Sequence, residues 1–293
     1  MNLGKYKIYR FLVFLIKNTA VLQSKRKKVF YFESTANFGD QMNVFLCNAL
    51  SSEKLDFITS TEFLNIKNYL CIGSVLQIAN KKSIIWGSGF HFESSYFHYS
   101  HPKKVLAVRG PLTRTKLLAQ NIYCPEIYGD PALLLPCILS GEAVKKYRIG
   151  VVPHYSNKDD IWLRQFKNDP TVLIIDVGDD PLTVVNQIRS CTLILSSSLH
   201  GLIISDAYFI PNVWIIFTKN IGLDNFKFYD YFQSVDREQI QPVNVKSRTL
   251  NEVLNSQYSG PFSFDPLPLI EACPFNLKKD IKSQIVTWYQ QKI

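Results

Sequence analysis

Residues 192–209 read TLILSSSLHGLIISDAYF. The first six, centred on Leu193-Ile194-Leu195, form a run of strand length. From Leu199 to Phe209 the apolar residues are spaced as on a helix. Only Ser198 lies between the two runs, so a strand feeds almost directly into a helix. Such a unit belongs to an α/β layer built on a parallel sheet. The same alternation extends in both directions. Upstream, strands are expected at 29–34, 69–73, 83–87, 104–109, 122–128, 147–153 and 171–177. Helices are expected at 41–50, 159–167, 181–190 and from Pro111 to Ala119, where Pro111 sits at the first helical position and its missing N–H costs nothing. Downstream, a strand is expected at 212–217 and helices at 226–232 and 278–291. Residues 256–275 carry four Pro and read as a loop. Weak periodicity and Gly141 place a boundary within 137–146. The expected chain is therefore a basic arm (1–28), an N-terminal α/β domain (29–142), a C-terminal α/β domain (143–275) and a terminal helix (276–293). Two Rossmann-like domains facing a cleft is the simplest assembly.

Composition is globular: 293 residues, 46% apolar and 19% charged. The net charge of +9 is uneven. Residues 1–28 hold eight Lys or Arg and no acid, and the rest of the chain carries 25 basic against 24 acidic residues. The arm also holds an apolar run, 11–16, far short of the ~20 residues that span a bilayer. Two readings stand for it: a peripheral contact with an acidic membrane surface, or an ordinary helix packed on the domain. Nucleic-acid binding has only this arm in its favour and no recognition motif, so no nucleic-acid partner is expected. The six Cys show no C-x-x-C or zinc spacing and sit in apolar runs. Free thiols, a cytoplasmic location and no structural metal are expected.

In open α/β sheets ligands bind beyond the carboxyl ends of the strands, near helix N-termini that attract anions. Several unusual polar residues fall there. Asn37, Gly39 and Asp40 follow the first strand, and Asp40 reads either as a helix cap or as a carboxylate touching substrate hydroxyls. Arg109 leaves a strand end and could bind phosphate or carboxylate in bidentate fashion; the alternative is a surface ion pair. Arg114 reads as solvated. Asp130 precedes Pro131 and reads first as a turn cap. Ser197 and Ser198 offer hydroxyls beside His200, which could transfer a proton. His154 and His91 rank below His200, while His98 and His101 read as loop residues.

In order along the chain, Asn37-Phe38-Gly39-Asp40, Trp86-Gly87-Ser88-Gly89, Val108-Arg109-Gly110-Pro111, Gly129-Asp130-Pro131, Pro153-His154-Tyr155, Ser197-Ser198-Leu199-His200-Gly201 and Asp206-Ala207-Tyr208 resemble the polysaccharide pyruvyl transferase family. The likeness is to the branch acting on bacterial exopolysaccharides. It implies a glycosyltransferase-B-like fold, phosphoenolpyruvate as donor, a saccharide acceptor that could be lipid-linked, and neither metal nor organic cofactor. By the resemblance, His200, Arg109 and Asp40 are the catalytic candidates. Asn37, Gly39, Asp130, His154, Ser197, Ser198, Leu199 and Gly201 are the expected binding residues. Some members carry Arg before Leu-His where this chain has Ser198, so Arg189, Lys219 or Arg164 would have to supply the missing charge. The implied reaction protonates C3 of the enol while a sugar hydroxyl attacks C2. Phosphate then leaves and a second hydroxyl closes a cyclic ketal. Two other readings share the architecture: a nucleotide-sugar glycosyltransferase, with Asp176 as the nearest ribose-binding acid, and a non-catalytic subunit of an envelope assembly.

Overall fold

The computed structural model describes residues 21, 23–32, 37–62, 66–217, 224–237, 241–246, 248–256 and 262–291. Most of the basic arm, residues 1–20 and 22, lies outside these. Among the described residues no helix is long and apolar enough to cross a membrane.

Two five-stranded sheets carry the fold, and every pairing in them is parallel. The first contains β1 (Lys27–Phe30), β2 (Leu55–Ile58), β3 (Asn68–Leu70), β4 (Ser83–Trp86) and β5 (Lys104–Ala107), in the order β2-β1-β3-β4-β5. The second contains β6 (Tyr147–Val152), β7 (Val172–Ile174), β8 (Cys191–Ser196), β9 (Asn212–Ile216) and β10 (Val243–Asn244), in the order β10-β9-β8-β6-β7. Renumbered from its own first strand, each sheet has the order 2-1-3-4-5. That is a doubly wound topology with a switch point between the first and third strands. Residues 138–146, which join the two halves, contain neither helix nor strand.

The helices begin where local chemistry allows. α1 (Phe38–Leu50) is capped by Asn37, whose side chain accepts from the Gly39 N–H. α2 (Pro111–Leu118) and α3 (Pro181–Arg189) open on Pro, and Asp180 caps α3. α4 (Leu199–Ala207) follows β8 and is buried along its whole length. α5 (Phe226–Gln233), α6 (Leu250–Leu254), α7 (Pro266–Glu271) and α8 (Ile281–Gln290) follow along the chain.

Several expectations need correction. Residues 122–128 form no strand; only a single parallel bridge joins Val108 to Tyr128. Pro125 removes a ladder donor in the middle of that run. The helix expected over 159–167 is a 3-10 segment, Ile161–Phe166, capped by Asp160. Within the Pro-rich 256–275, α7 forms because Asp265 caps it and Pro266 takes the first helical position. Strand β1 starts at Lys27, so the last two residues of the supposed arm belong to the sheet. There Lys27 pairs with Glu53, and Lys28 is buried beside Asp56.

The halves are packed together. One hydrophobic cluster runs from Phe38, Met42 and Leu46 of α1 to Val184 and Ile188 of α3 and Leu202 of α4. The Phe38 N–H donates to the Val177 carbonyl at 2.7 Å. Helix α5 follows β9 of the second sheet yet docks on the first half. Asp230 accepts from Thr113 N and Oγ1 (2.8 and 2.7 Å) at the start of α2, which has no side-chain cap of its own. The next residue, Tyr231, donates to Asp206 of α4 at 2.8 Å. α5 therefore ties both halves. α8 does the same, with Tyr289 donating to the Leu133 carbonyl and Trp288 to the Ala207 carbonyl.

Candidate active site

A cavity of about 330 Å³ lies between the halves, within the ~300–1,000 Å³ typical of ligand pockets. Its walls come from the carboxyl ends of the strands that flank the two switch points. Phe32, Asn37 and Asp40 follow β1; Ser74, Val75 and Gln77 follow β3. His154 and Tyr155 follow β6; Ser198, Leu199 and His200 follow β8. His91 comes from beyond β4, and Lys227 comes from α5.

The first turns of α1 and α4 meet at the cavity floor. A Cβ on Gly39 would overlap the His200 imidazole, so only glycine lets α1 approach this closely. His200 is nearly buried, with its ring edge toward Phe38. Its Nε2 faces Asp130 Oδ2 at 3.7 Å, and among the described residues neither atom has a hydrogen-bond partner. Asp130 is fully buried and caps the 3-10 segment Pro131–Cys137 through the Ala132 N–H at 2.9 Å. It does not line the cavity, so it faces His200 rather than acceptor hydroxyls.

Asp40 receives a hydrogen bond from Asn37 Nδ2 at 3.1 Å. Burial raises its pKa above the ordinary carboxylate value, and His200, Lys227 and the Asn37 bond pull the other way. Its carboxyl is therefore easier to protonate than a surface aspartate. The N–H groups at the start of α4 receive no side-chain cap, because Ser198 makes no capping bond and its hydroxyl is left to the cavity. Ser197 and Gly201 hold the frame instead. Ser197 Oγ accepts from His154 N at 2.9 Å, tying the loop after β8 to the loop after β6. A Cβ on Gly201 would overlap Ser196 Oγ.

The imidazoles of His91 and His154 are held neutral. His91 is pushed down to about 3 by burial first, then by Lys227 and Arg109. His154 is pushed down to about 4 by burial and Lys227, and its Nδ1 lies 2.9 Å from Ser156 Oγ.

Arg109 occupies a place that the sequence did not reveal. It is fully buried behind the wall. Nε donates to Asp230 Oδ2 at 3.0 Å, Nη2 to the Phe90 carbonyl at 2.7 Å, and Nη1 to Ser74 Oγ at 2.6 Å. Nη2 also lies 2.9 Å from Asp230 Oδ2. Arg109 thus reaches the cavity only through Ser74. Two of the cations named to compensate for Ser198, Arg189 and Arg164, are not on the wall either. Arg189 donates to the Gly141 carbonyl and covers the Tyr208 ring. Arg164 lies in the 3-10 segment after Asp160, and Lys219 is outside the described residues. Among the described residues the lysine on the wall is Lys227. It was missed because it stands in the aromatic run FKFYDYF (226–232), which reads as core.

The sequence profile of polysaccharide pyruvyl transferases matches residues 39–217. That span holds every wall residue from Asp40 to His200 and ends before Lys227. The uncharacterized protein L143 of Acanthamoeba polyphaga mimivirus is 32% identical over 228 residues, covering 74% of this chain and 79% of its own. The succinoglycan biosynthesis protein ExoV of Rhizobium meliloti (strain 1021) is 27% identical over 231 residues, covering 76% of this chain and 70% of its own. With a match that spans more than half its length, the chain belongs to the polysaccharide pyruvyl transferase family.

Proposed function

We propose that this protein transfers an enolpyruvyl group from phosphoenolpyruvate to a saccharide, free or lipid-linked, and closes it to a pyruvate ketal with release of phosphate. The observation that carries this reading is the cavity at the paired switch points. It sets a lysine, an uncapped helix start, a histidine and a carboxyl with raised pKa around one small space. The family match and the ExoV relative, a succinoglycan biosynthesis protein by description, point to the same chemistry. Two α/β halves with the ligand between them also resemble the glycosyltransferase-B arrangement.

In this reading the donor's phosphate and carboxylate lie toward the start of α4 and the cationic wall, where N–H dipoles stabilise negative charge. His200 delivers a proton to C3 of the enol or to the leaving phosphate oxygen. Asp130 faces its Nε2 at 3.7 Å. Attack of a sugar hydroxyl on C2 forms the new C–O bond, and Asp40 accepts the hydroxyl proton. Loss of phosphate and attack by a second hydroxyl complete the ketal. The exposed rings of Phe32 and Tyr155 stand at the cavity edge as stacking surfaces for the acceptor.

The nucleotide-sugar alternative gains nothing from the geometry. Asp176, its ribose-binding candidate, pairs with Lys158 away from the cavity. The deciding experiment offers the purified protein phosphoenolpyruvate and oligosaccharide fragments of the host's surface polysaccharide. Phosphate release that requires the acceptor, with a product heavier by one pyruvate ketal, is the expected result. His200→Ala should lower the rate about 10²- to 10⁴-fold. Stabilisation by a uridine diphosphate sugar and none by phosphoenolpyruvate would sink the reading.

A further inference from the structure

We propose that Lys227, supplied by helix α5, is the side chain that grips the anionic donor, and that Arg109 serves as its support. This assignment rests on the pyruvyl-transfer reading and names the cation that reading needs.

Three observations converge. First, the guanidinium of Arg109 is already neutralised. Both it and Asp230 are fully buried, and Asp230 Oδ2 lies 2.9–3.0 Å from Nη2 and Nε. Drawing Arg109 toward a ligand would leave Asp230 charged and unpaired in the interior, a costly outcome. Second, Lys227 has no such partner. Among the described residues its ammonium makes no hydrogen bond and no ion pair, only a contact over the Phe228 ring 5.5 Å from the centroid, although the residue lines the cavity. An ammonium drawn from water without a counter-ion is unfavourable unless a ligand supplies one. Third, the fold holds Lys227 in place from two directions. Asp230 stands three residues further along α5, on the neighbouring face of the turn, and is bound to Arg109 and Thr113 of the first half. Tyr231 is bound to Asp206 of the second half. A helix fixed at both neighbours presents its first-turn lysine to the space between them.

The charges around Lys227 fit this role. Asp40 of α1 attracts it, while Arg109 beside β5 repels it; the neutral imidazoles of His91 and His154 complete the surroundings. The same cavity wall offers the uncapped start of α4 and Ser198. A phosphate or carboxylate beside them receives a charge-assisted hydrogen bond from the lysine and N–H dipoles from the helix start.

The test is calorimetric titration of the full chain with phosphoenolpyruvate and, separately, with inorganic phosphate, together with steady-state kinetics. Lys227→Met should weaken phosphoenolpyruvate binding about 10- to 100-fold, as expected for one charge-assisted hydrogen bond. Donor KM should rise in step, with a smaller change in kcat, and Lys227→Arg should recover most of the affinity. Because the variant removes an unpaired half-buried charge, its melting temperature should be unchanged or higher. A lysine that merely braced the fold would lower it. If wild type binds phosphoenolpyruvate and Lys227→Met binds it within about twofold of wild type, this assignment is wrong while the reaction stands. If wild type itself does not bind phosphoenolpyruvate, the pyruvyl-transfer reading fails first.

Discussion

Single residues in this cavity owe their chemistry to burial and to charges contributed by distant parts of the chain. His154 was legible as a strand-end residue, but its protonation state was not. The desolvating wall and Lys227 are 3-D features, and together they hold its imidazole well below its ordinary value. His91 and His154 are therefore expected to remain neutral down to about pH 5. Titration followed by ¹⁵N-resolved imidazole resonances checks this, and a midpoint near 6.5 for either ring would contradict the described environment. Lys227 gives a second, signed expectation. Burial and Arg109 push its ammonium down to about 8, against the pull of Asp40. The charged form binds anions, so kcat/KM for the donor should be full below that value and decline as pH rises through it. Lys227→Arg should move this alkaline limb upward by at least one pH unit, since guanidinium stays charged (pKa above ~12). A limb that stays in place assigns the titration to another group. The same depression acts on stability. Between about 8 and the ordinary lysine value the unfolded chain binds more protons than the folded one, so this group makes the fold more stable as pH rises across that window.

At the scale of elements, the two sheets were readable because strands buried on both faces appear as apolar runs. β4, SIIW, is buried at every position. β2 and β10 escaped notice because they are short and carry Asp56 and Asn244 among few apolar residues. The partner of Arg109 could not be read locally, for Asp230 lies 121 residues further along the chain. Close approach between elements is carried by glycines, and two of them give contrasting outcomes. Gly39 faces the His200 side chain, which can swing aside, whereas Gly110 faces the Asp230 carbonyl, which is backbone in α5 and cannot. Gly39→Ala should therefore displace the imidazole and cost activity about 10²-fold or more with little change in melting temperature. Gly110→Ala should push α5 off α2 and destabilise the protein by about 1–3 kcal/mol. It should also weaken donor binding, because α5 carries Lys227. Denaturation midpoints measured beside turnover distinguish the two. Equal loss of stability in both variants would show that the imidazole is as rigidly held as the helix backbone.

For the molecule as a whole, the question is whether two sheets of identical topology behave as two domains or one. The sequence points to two, through the weakly patterned link near 137–146 and the repeated alternation of strand and helix. The packing points to one cooperative body. Hydrophobic contact is continuous from α1 to α3 and α4. α5 joins the halves through neighbouring residues, Asp230 and Tyr231. The Trp86 indole of the first sheet donates to the Leu269 carbonyl of α7 at 2.9 Å, and Tyr289 of α8 reaches the Leu133 carbonyl. Unfolding either half alone would expose apolar surface on the other and strand Arg109 without its buried counter-ion. Thermal unfolding should therefore be a single calorimetric transition, with calorimetric and van't Hoff enthalpies in a ratio of about 1. On the proposed reading phosphoenolpyruvate should raise that one transition, because the cavity is made of loops from both halves and exists only when both are folded. Asp230→Ala, which removes the tie to the first half but leaves Tyr231 bound to Asp206, should broaden or split the transition. Two resolved peaks in the wild-type protein, only one of them moved by the donor, would place the site on a single half and overturn this view of the cavity.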